Sequence, residues 1–347
     1  MCRPFACWKS KSRQLDRKSL TKQPAAASVL QQAAFLDKCV ILVIYILYRC
    51  VSMKKIMILF LLALLLIQSA GCTNQIPNTE ILTTTAPLYY FTTEICYGTG
   101  ITVECLITES VSCLHDYTLQ TKQMRAIESA QLVILSGAGL EDSFSDILIS
   151  AKATLDSSAG TLLLCHNADT EHHDDNDDQH HHEYDPHIWL SPDNASIMVK
   201  NIYEKLCMLY PQHKDLFDQN YKKLIEEFNA LSDYASNQLS KLASRKLITF
   251  HDGFAYLANA FDLEILHAIE EESGREASAS ELINLCRLIE EHKVPCIFTE
   301  VNGSVSAAQI ISGETDAKIY QLDMAMSGRN YFDSMYHNID TLREALE

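Results

Sequence analysis

PQHKDLFDQNYKKLIEEFNALSDYASNQLSKL, residues Pro211 to Leu242, decides how the rest of the chain is arranged. Apolar side chains recur at Phe217, Tyr221, Leu224, Phe228, Leu231, Tyr234, Leu239 and Leu242, mostly three or four apart, with no glycine or proline after Pro211. That period lays one apolar stripe along a helix. At ~1.5 Å per residue the expected rod is roughly 45 Å long, enough to cross more than one lobe.

Short β-branched runs alternate with helical stretches on both sides of the rod. Before it, Ile81 to Thr85, Ile101 to Ile107, Leu132 to Leu135 and Leu162 to Cys165 read as strands. Helices fit Pro87 to Tyr97, Leu119 to Ser129, Glu141 to Thr154 and Pro192 to Tyr210. After the rod, strands fit Lys246 to Phe250, Leu263 to His267, Pro295 to Thr299 and Lys318 to Leu322. Helices there fit Gly253 to Phe261, Ser278 to His292, Ser304 to Gly313 and Tyr331 to Leu346. Strand–helix–strand repetition implies a parallel sheet covered on both faces. The expected fold class is therefore α/β: two similar lobes, each a four-stranded mostly parallel sheet flanked by helices, joined by one long rigid helix. The expected boundaries are 80–210 for the first lobe, 211–242 for the linking helix and 243–347 for the second lobe.

The 347 residues, 47% of them hydrophobic, suffice for two lobes with ordinary cores. A net charge of −17 argues against a nucleic-acid partner. Met53-Lys54-Lys55, the apolar run Ile56 to Ile67 and then Gln68-Ser69-Ala70-Gly71-Cys72 have the charged start, short apolar middle and small-residue end of a secretory signal. The apolar run is short of the ~20 residues a bilayer span needs. The residues before Cys72 resemble a bacterial lipobox, which makes Cys72 the expected lipidated first residue, with 53–71 as signal peptide and 72–79 as tether. Residues 1–52 carry no signal-like logic of their own and read as an upstream extension from a start codon placed too early. Seven of the twelve cysteines follow Cys72, without a C-x-x-C pair, and most are expected to be buried thiols rather than a disulfide framework.

Seven of the thirteen histidines lie between His166 and His187, interleaved with eight carboxylates. Residues 166–183 hold almost no apolar surface to offset ordering entropy, so they read as a disordered loop rich in nitrogen and oxygen ligands. His172, His173, His180, His181 and His182 are the expected accessory metal-binding residues of that loop, which a plain solvated acidic loop would also resemble. Asp185-Pro186-His187-Ile188-Trp189-Leu190-Ser191-Pro192 follows, apolar and ordered, with Trp189 read as packing beneath the ligand loops.

Parallel α/β sheets bind ligands beyond the carboxyl ends of their strands. His115 follows the strand Ile101 to Ile107, His187 follows the fourth strand once the loop is crossed, His251 ends Lys246 to Phe250, and Asp323 ends Lys318 to Leu322. Singly, His251 could be a satisfied core histidine and Asp323 could cap a turn. Together they make three imidazoles and one carboxylate, the closed tetrahedral shell of zinc that is held rather than used. Glu300, at a neighbouring strand end, either orients a ligand histidine or caps the helix from Ser304.

Cys113 to Leu135 with its His-Asp-Tyr, the Asp-Pro-His-Ile-Trp-Leu-Ser-Pro block, Phe250 to Tyr256, and Phe298-Thr299-Glu300 leading to Leu322-Asp323 resemble the metal-binding lipoproteins of bacterial ABC importers, the cluster A-I (cluster 9) solute-binding proteins, over roughly Glu80 to Glu347. The resemblance implies a metal in the cleft between two lobes, with His115, His187 and His251 as ligands and Asp323, or a water, as the fourth. A histidine at 251 and the histidine-rich loop are similar to the zinc branch rather than the manganese branch. Nitrogen-rich coordination likewise favours Zn²⁺ over Mn²⁺.

The expectation is extracytoplasmic capture of Zn²⁺ by a lipid-anchored monomer at the bacterial cell membrane and its delivery to an ABC permease. The ATPase is expected to be a separate chain, since no G-x-x-x-x-G-K-[ST] occurs here. A manganese-binding relative, a zinc hydrolase and a surface adhesin or metal buffer are the alternatives. Against the hydrolase, no His-Glu-x-x-His is present and a carboxylate ligand would close the shell.

Overall fold

The computed structural model describes residues 79–108, 117–165, 184–269, 278–301, 303–326 and 330–347, with Lys38 and Val40 as isolated positions. The upstream extension and signal peptide otherwise lie outside the described residues, as do Cys72, His115 and the histidine-rich segment 166–183.

The first lobe runs β1 (Ile81–Thr83), α1 (Ala86–Cys96), β2 (Val103–Cys105), α2 (Thr121–Ser129), β3 (Leu132–Leu135), α3 (Ser145–Leu148), β4 (Thr154–Asp156) and α4 (Pro192–Leu209). Next comes α5 (Lys214–Gln238). The second lobe runs β5 (Lys246–Thr249), α6 (Ala255–Ala260), β6 (Glu264–Ala268), α7 (Ala279–His292), β7 (Cys296–Glu300), α8 (Ser306–Glu314), β8 (Lys318–Leu322) and α9 (Tyr331–Leu346).

The sheets have strand orders β2-β1-β3-β4 and β6-β5-β7-β8, and every pairing in them is parallel. The central strands β1 and β7 are buried along their whole length, whereas the edge strand β4 is mostly exposed. Helices on both faces account for that difference, because only edge strands retain contact with solvent. In each sheet the order reverses between two central strands, β1 and β3 in the first and β5 and β7 in the second, which opens a crevice at their carboxyl ends.

The fourth strand is not where the sequence places it. Thr154–Asp156 pairs with β3, with Val133 opposite Thr154. The amides of Leu162 and Leu164 instead meet the Asn194 Oδ1 and Tyr256 hydroxyl oxygens at 2.9 and 3.0 Å, and Cys165 forms only an isolated antiparallel bridge with Tyr184. Apolar composition cannot distinguish a ladder from a segment whose amides are satisfied by distant side chains. The helix expected over Glu141 to Thr154 shrinks to a 3-10 turn, Asp142–Phe144, and the single turn of α3.

Glu141 explains how that segment begins. Its buried carboxylate accepts the amides of Ser136 and Gly137 at 2.8 and 3.0 Å and the Thr84 hydroxyl at 2.6 Å, tying the loop after β3 to the end of β1. Burial pushes its pKa up to about 7, although those three hydrogen bonds pull the other way and Asp156 adds a further upward push. Gly137, at φ +81°, stands where a Cβ would meet Asp156 Oδ1 at 2.0 Å, so the turn requires glycine.

The rod is α5, 25 residues or about 37 Å, entered through a 3-10 turn at Pro211–His213. Phe217, Asn220, Leu224, Phe228, Leu231 and Ala235 form its buried stripe. Asn220 interrupts that stripe and donates to the carbonyls of Ile95 and Tyr97, which the end of α1 leaves without helical partners. The Arg245 guanidinium donates to the Leu239 carbonyl just past the end of α5.

Phe228 of α5 lies 5.9 Å from Phe91 of α1, 5.6 Å from Tyr331 and 4.9 Å from Phe332 of α9, between ring centroids. One hydrophobic core therefore runs from the first lobe through α5 and α9 to the inner face of the second sheet. The outer face of that sheet has its own smaller core, built on Ile248, Leu285, Ile289, Ile297 and Ile311.

Among the described residues no helix is long and apolar enough to cross a membrane. The six described cysteines are free thiols; Cys96 and Cys296 are buried as expected, whereas Cys165 is exposed.

Candidate metal centre

His187 opens a 3-10 turn, Ile188–Leu190, whose three side chains are all buried. These apolar anchors hold the imidazole, itself only 3% exposed, against the second lobe. Trp189 packs edge-to-face on the His187 ring at 5.5 Å between centroids, and its indole N–H donates to the Met324 carbonyl at 2.8 Å. Tyr331 of α9 donates its hydroxyl to the Trp189 carbonyl at 2.8 Å. Trp189 thus packs beneath the site, as expected, and also joins the two lobes there.

Asp185 bends the chain in front of His187. Its Oδ1 accepts the His187 amide at 2.9 Å and lies 2.8 Å from His187 Nδ1. The first contact is the local turn that aspartate favours, and Pro186 between the two residues pre-sets the backbone for it. The second favours the tautomer with its proton on Nδ1, in which Nε2 is the nitrogen suited to a metal.

His251 lies two residues beyond β5, at the reversal point of the second sheet. Glu300 Oε1, from the end of β7, is 3.4 Å from its Nδ1, a looser electrostatic contact than the one at His187. A Cβ at Gly253 would stand 2.6 Å from both His251 Cδ2 and Met324 Cε, so glycine is what lets the ring and the methionine tip close over this turn.

The consequence is an opposed pair of nitrogens. His187 Nε2 and His251 Nε2 are 3.5 Å apart, with the rings 84° from parallel. Donor and acceptor roles in this contact depend on the tautomers, and both Nδ1 atoms face carboxylates. With the ring protons on Nδ1, the two Nε2 atoms would both be acceptors, an arrangement that a cation between them would stabilise. A tetrahedral ion bound at about 2.05 Å holds two ligand nitrogens roughly 3.3 Å apart, close to the observed separation. Among the described residues, Asp185 Oδ2 is buried without a hydrogen-bond partner, a negative charge that a divalent ion at His187 would offset.

Asp323 ends β8, one residue beyond Leu322, which is in register with Glu300. It is 1% exposed. Oδ1 accepts the Ala325 amide at 2.8 Å and Oδ2 accepts the Ser334 hydroxyl at 3.0 Å, while its main chain exchanges two hydrogen bonds with the Asn338 side chain. Asp323 therefore does cap a turn.

Among the described residues no group of three or more His, Cys, Asp or Glu side chains is arranged to hold a metal. Of the expected ligands the structure brings His187 and His251 together, while His115 and the five accessory histidines lie outside the described residues. Sequence reasoning named Glu300 but missed Asp185. The signal for it was present in Asp-Pro-His, a carboxylate two residues before a histidine across a proline.

The sequence profile of the family described as "zinc-uptake complex component A, periplasmic" matches residues 81–345. The chain is 30% identical to the zinc-binding lipoprotein AdcA of Streptococcus pneumoniae over 313 residues, 85% of this chain and 62% of that protein. It superposes on the crystal structure of ZnuA with a TM-score of 0.66 at 26% identity, covering 77% of this chain and 98% of the other. It superposes on Zn(II)-bound AdcA from Streptococcus pneumoniae with a TM-score of 0.65 at 28% identity, covering 77% of this chain and 57% of that one. The chain thus spans about six-tenths of the length of AdcA.

Proposed function

We propose that this chain, which belongs to the zinc-uptake complex component A family, captures Zn²⁺ outside the cytoplasmic membrane and hands it to the permease of an ABC importer. The observation that carries this reading is the pair of Nε2 atoms 3.5 Å apart, each ring having its Nδ1 against a carboxylate. Imidazole nitrogens at tetrahedral spacing suit Zn²⁺ better than Mn²⁺, which prefers oxygen donors. The zinc-binding AdcA relative and the Zn(II)-bound AdcA structure support the same choice.

In this reading His115 supplies the third nitrogen and Asp323 or a water closes the shell. Asp185 and Glu300 orient the two histidines. Where Asp323 is the fourth ligand, four-coordinate closure leaves no position for a reacting water, which suits a carrier rather than a hydrolase. The permease and its ATPase are separate chains, Cys72 carries the lipid that keeps this monomer at the membrane, and residues 166–183 collect zinc weakly beside the tight site. The lipoprotein relative supports the anchor.

Competitive zinc titration of the purified full chain tests the reading. Wild type is expected to bind one Zn²⁺ tightly and to prefer it to Mn²⁺, and His187→Ala or His251→Ala is expected to weaken that site by at least about 100-fold. Tight binding that survives both substitutions would overturn it.

A further inference from the structure

We infer that Tyr256 is a positioning residue for zinc binding: its hydroxyl, carried by α6 of the second lobe, holds the backbone of Asp185 so that the Asp185 carboxylate can orient His187. This rests on the proposed zinc site. Tyr256 is fully buried and lies five residues after His251, on the short segment that supplies the opposing ligand. Its hydroxyl accepts the Leu164 amide at 3.0 Å and donates to the Asp185 carbonyl at 2.8 Å. The Asp185 amide in turn donates to the Leu164 carbonyl at 2.9 Å. One oxygen atom thus closes a ring of three hydrogen bonds around the point where the chain enters and leaves residues 166–183.

Removing that oxygen would leave a part-buried N–H and a buried C=O without this partner while leaving the ring volume nearly unchanged. The residue bearing the unpaired carbonyl is the one whose carboxylate sets the His187 tautomer. The 3.5 Å gap between the two Nε2 atoms spans the lobes, and Tyr256 is a tether between the segment bearing His251 and the segment bearing His187. Burial raises its pKa to about 12, so the hydroxyl keeps the proton it donates to Asp185.

The test is Tyr256→Phe in the full chain, titrated with Zn²⁺ and, separately, loaded with Co²⁺ for its visible ligand-field spectrum. The expected result is a zinc Kd raised about 10-fold and a changed Co²⁺ spectrum at a temperature where circular dichroism shows the variant folded. A lowered Tm with unchanged Kd and Co²⁺ spectrum would reduce Tyr256 to a purely structural role and overturn the inference. Amide hydrogen exchange on wild type covers the case in which the variant does not fold. The Leu164 amide is expected to gain protection when zinc binds, because coupling between tether and site is reciprocal, and equal protection with and without zinc would overturn the inference. His187→Ala separates the two levels. If that variant binds zinc like wild type, the zinc site and the Tyr256 inference fall together. If it loses zinc while Tyr256→Phe does not differ from wild type, only the Tyr256 inference falls.

Discussion

Asp185 shows how much of the site depends on a single carboxylate. Oδ1 serves both the amide and the ring of His187, which fixes the orientation of the imidazole. Asp185→Asn keeps an acceptor oxygen but removes the charge, so its zinc Kd is expected to rise about 10-fold with the fold intact. Isothermal titration against a chelator measures this, and an unchanged Kd would mean that the carboxylate only shapes the turn. The sequence pointed to His187 and His251 because each stands at the start of an ordered block after a polar or strand segment. It could not indicate which ring nitrogen faces the cleft, because that depends on carboxylates supplied by the fold: Asp185 by a local turn, but Glu300 from a strand almost fifty residues away.

At the scale of elements, the end of β1 and the loop after β3 share one buried acid. The folded chain favours neutral Glu141, so its contribution to stability is full below the ordinary value of 4.5 and is lost as pH rises through about 7. Glu141→Gln forfeits one of the accepted amide bonds and does not titrate. The Tm gap between wild type and this variant is therefore expected to narrow from pH 4.5 to pH 7.5, and thermal melts across that range check it. A constant gap would show that Glu141 is not protonated in the folded state within this window. The neighbouring error in the sequence reading has a related cause. Leu162 to Cys165 looks like a strand, but its amides are met by Asn194 and Tyr256, side chains 32 and 92 residues away. By contrast β3 and α9 fall where the pattern placed them, because burial on both faces or on one helical stripe is written into adjacent residues.

Over the whole molecule, the two sheets are held by a shared core rather than by the rod alone. α9, last in the chain, brings Tyr331 against Phe91 and Phe332 against Tyr90 of the first lobe, and Trp189, Tyr256 and Tyr331 bond across beside the site. A continuous helix with a common core is a poor hinge. The tight site should then be independent of the histidine-rich segment. Deleting Glu171 to His182 is expected to lower zinc stoichiometry and leave the tightest Kd unchanged, which metal analysis with competitive titration will show. Loss of the tight site on deletion would mean that the segment supplies one of its ligands.

The sequence by itself determined the α/β alternation, the long amphipathic helix between two lobes, and the residue types able to hold zinc, since periodicity and composition are local properties of a chain. Only the tertiary structure decided that β4 is Thr154–Asp156, that α9 closes on the first lobe, and that His187 and His251, 64 residues apart, meet through Nε2 while Tyr256 and Asp185, 71 apart, hold one of them in place. Those outcomes depend on which buried donors find which acceptors once distant segments are brought together, and no local pattern encodes that pairing.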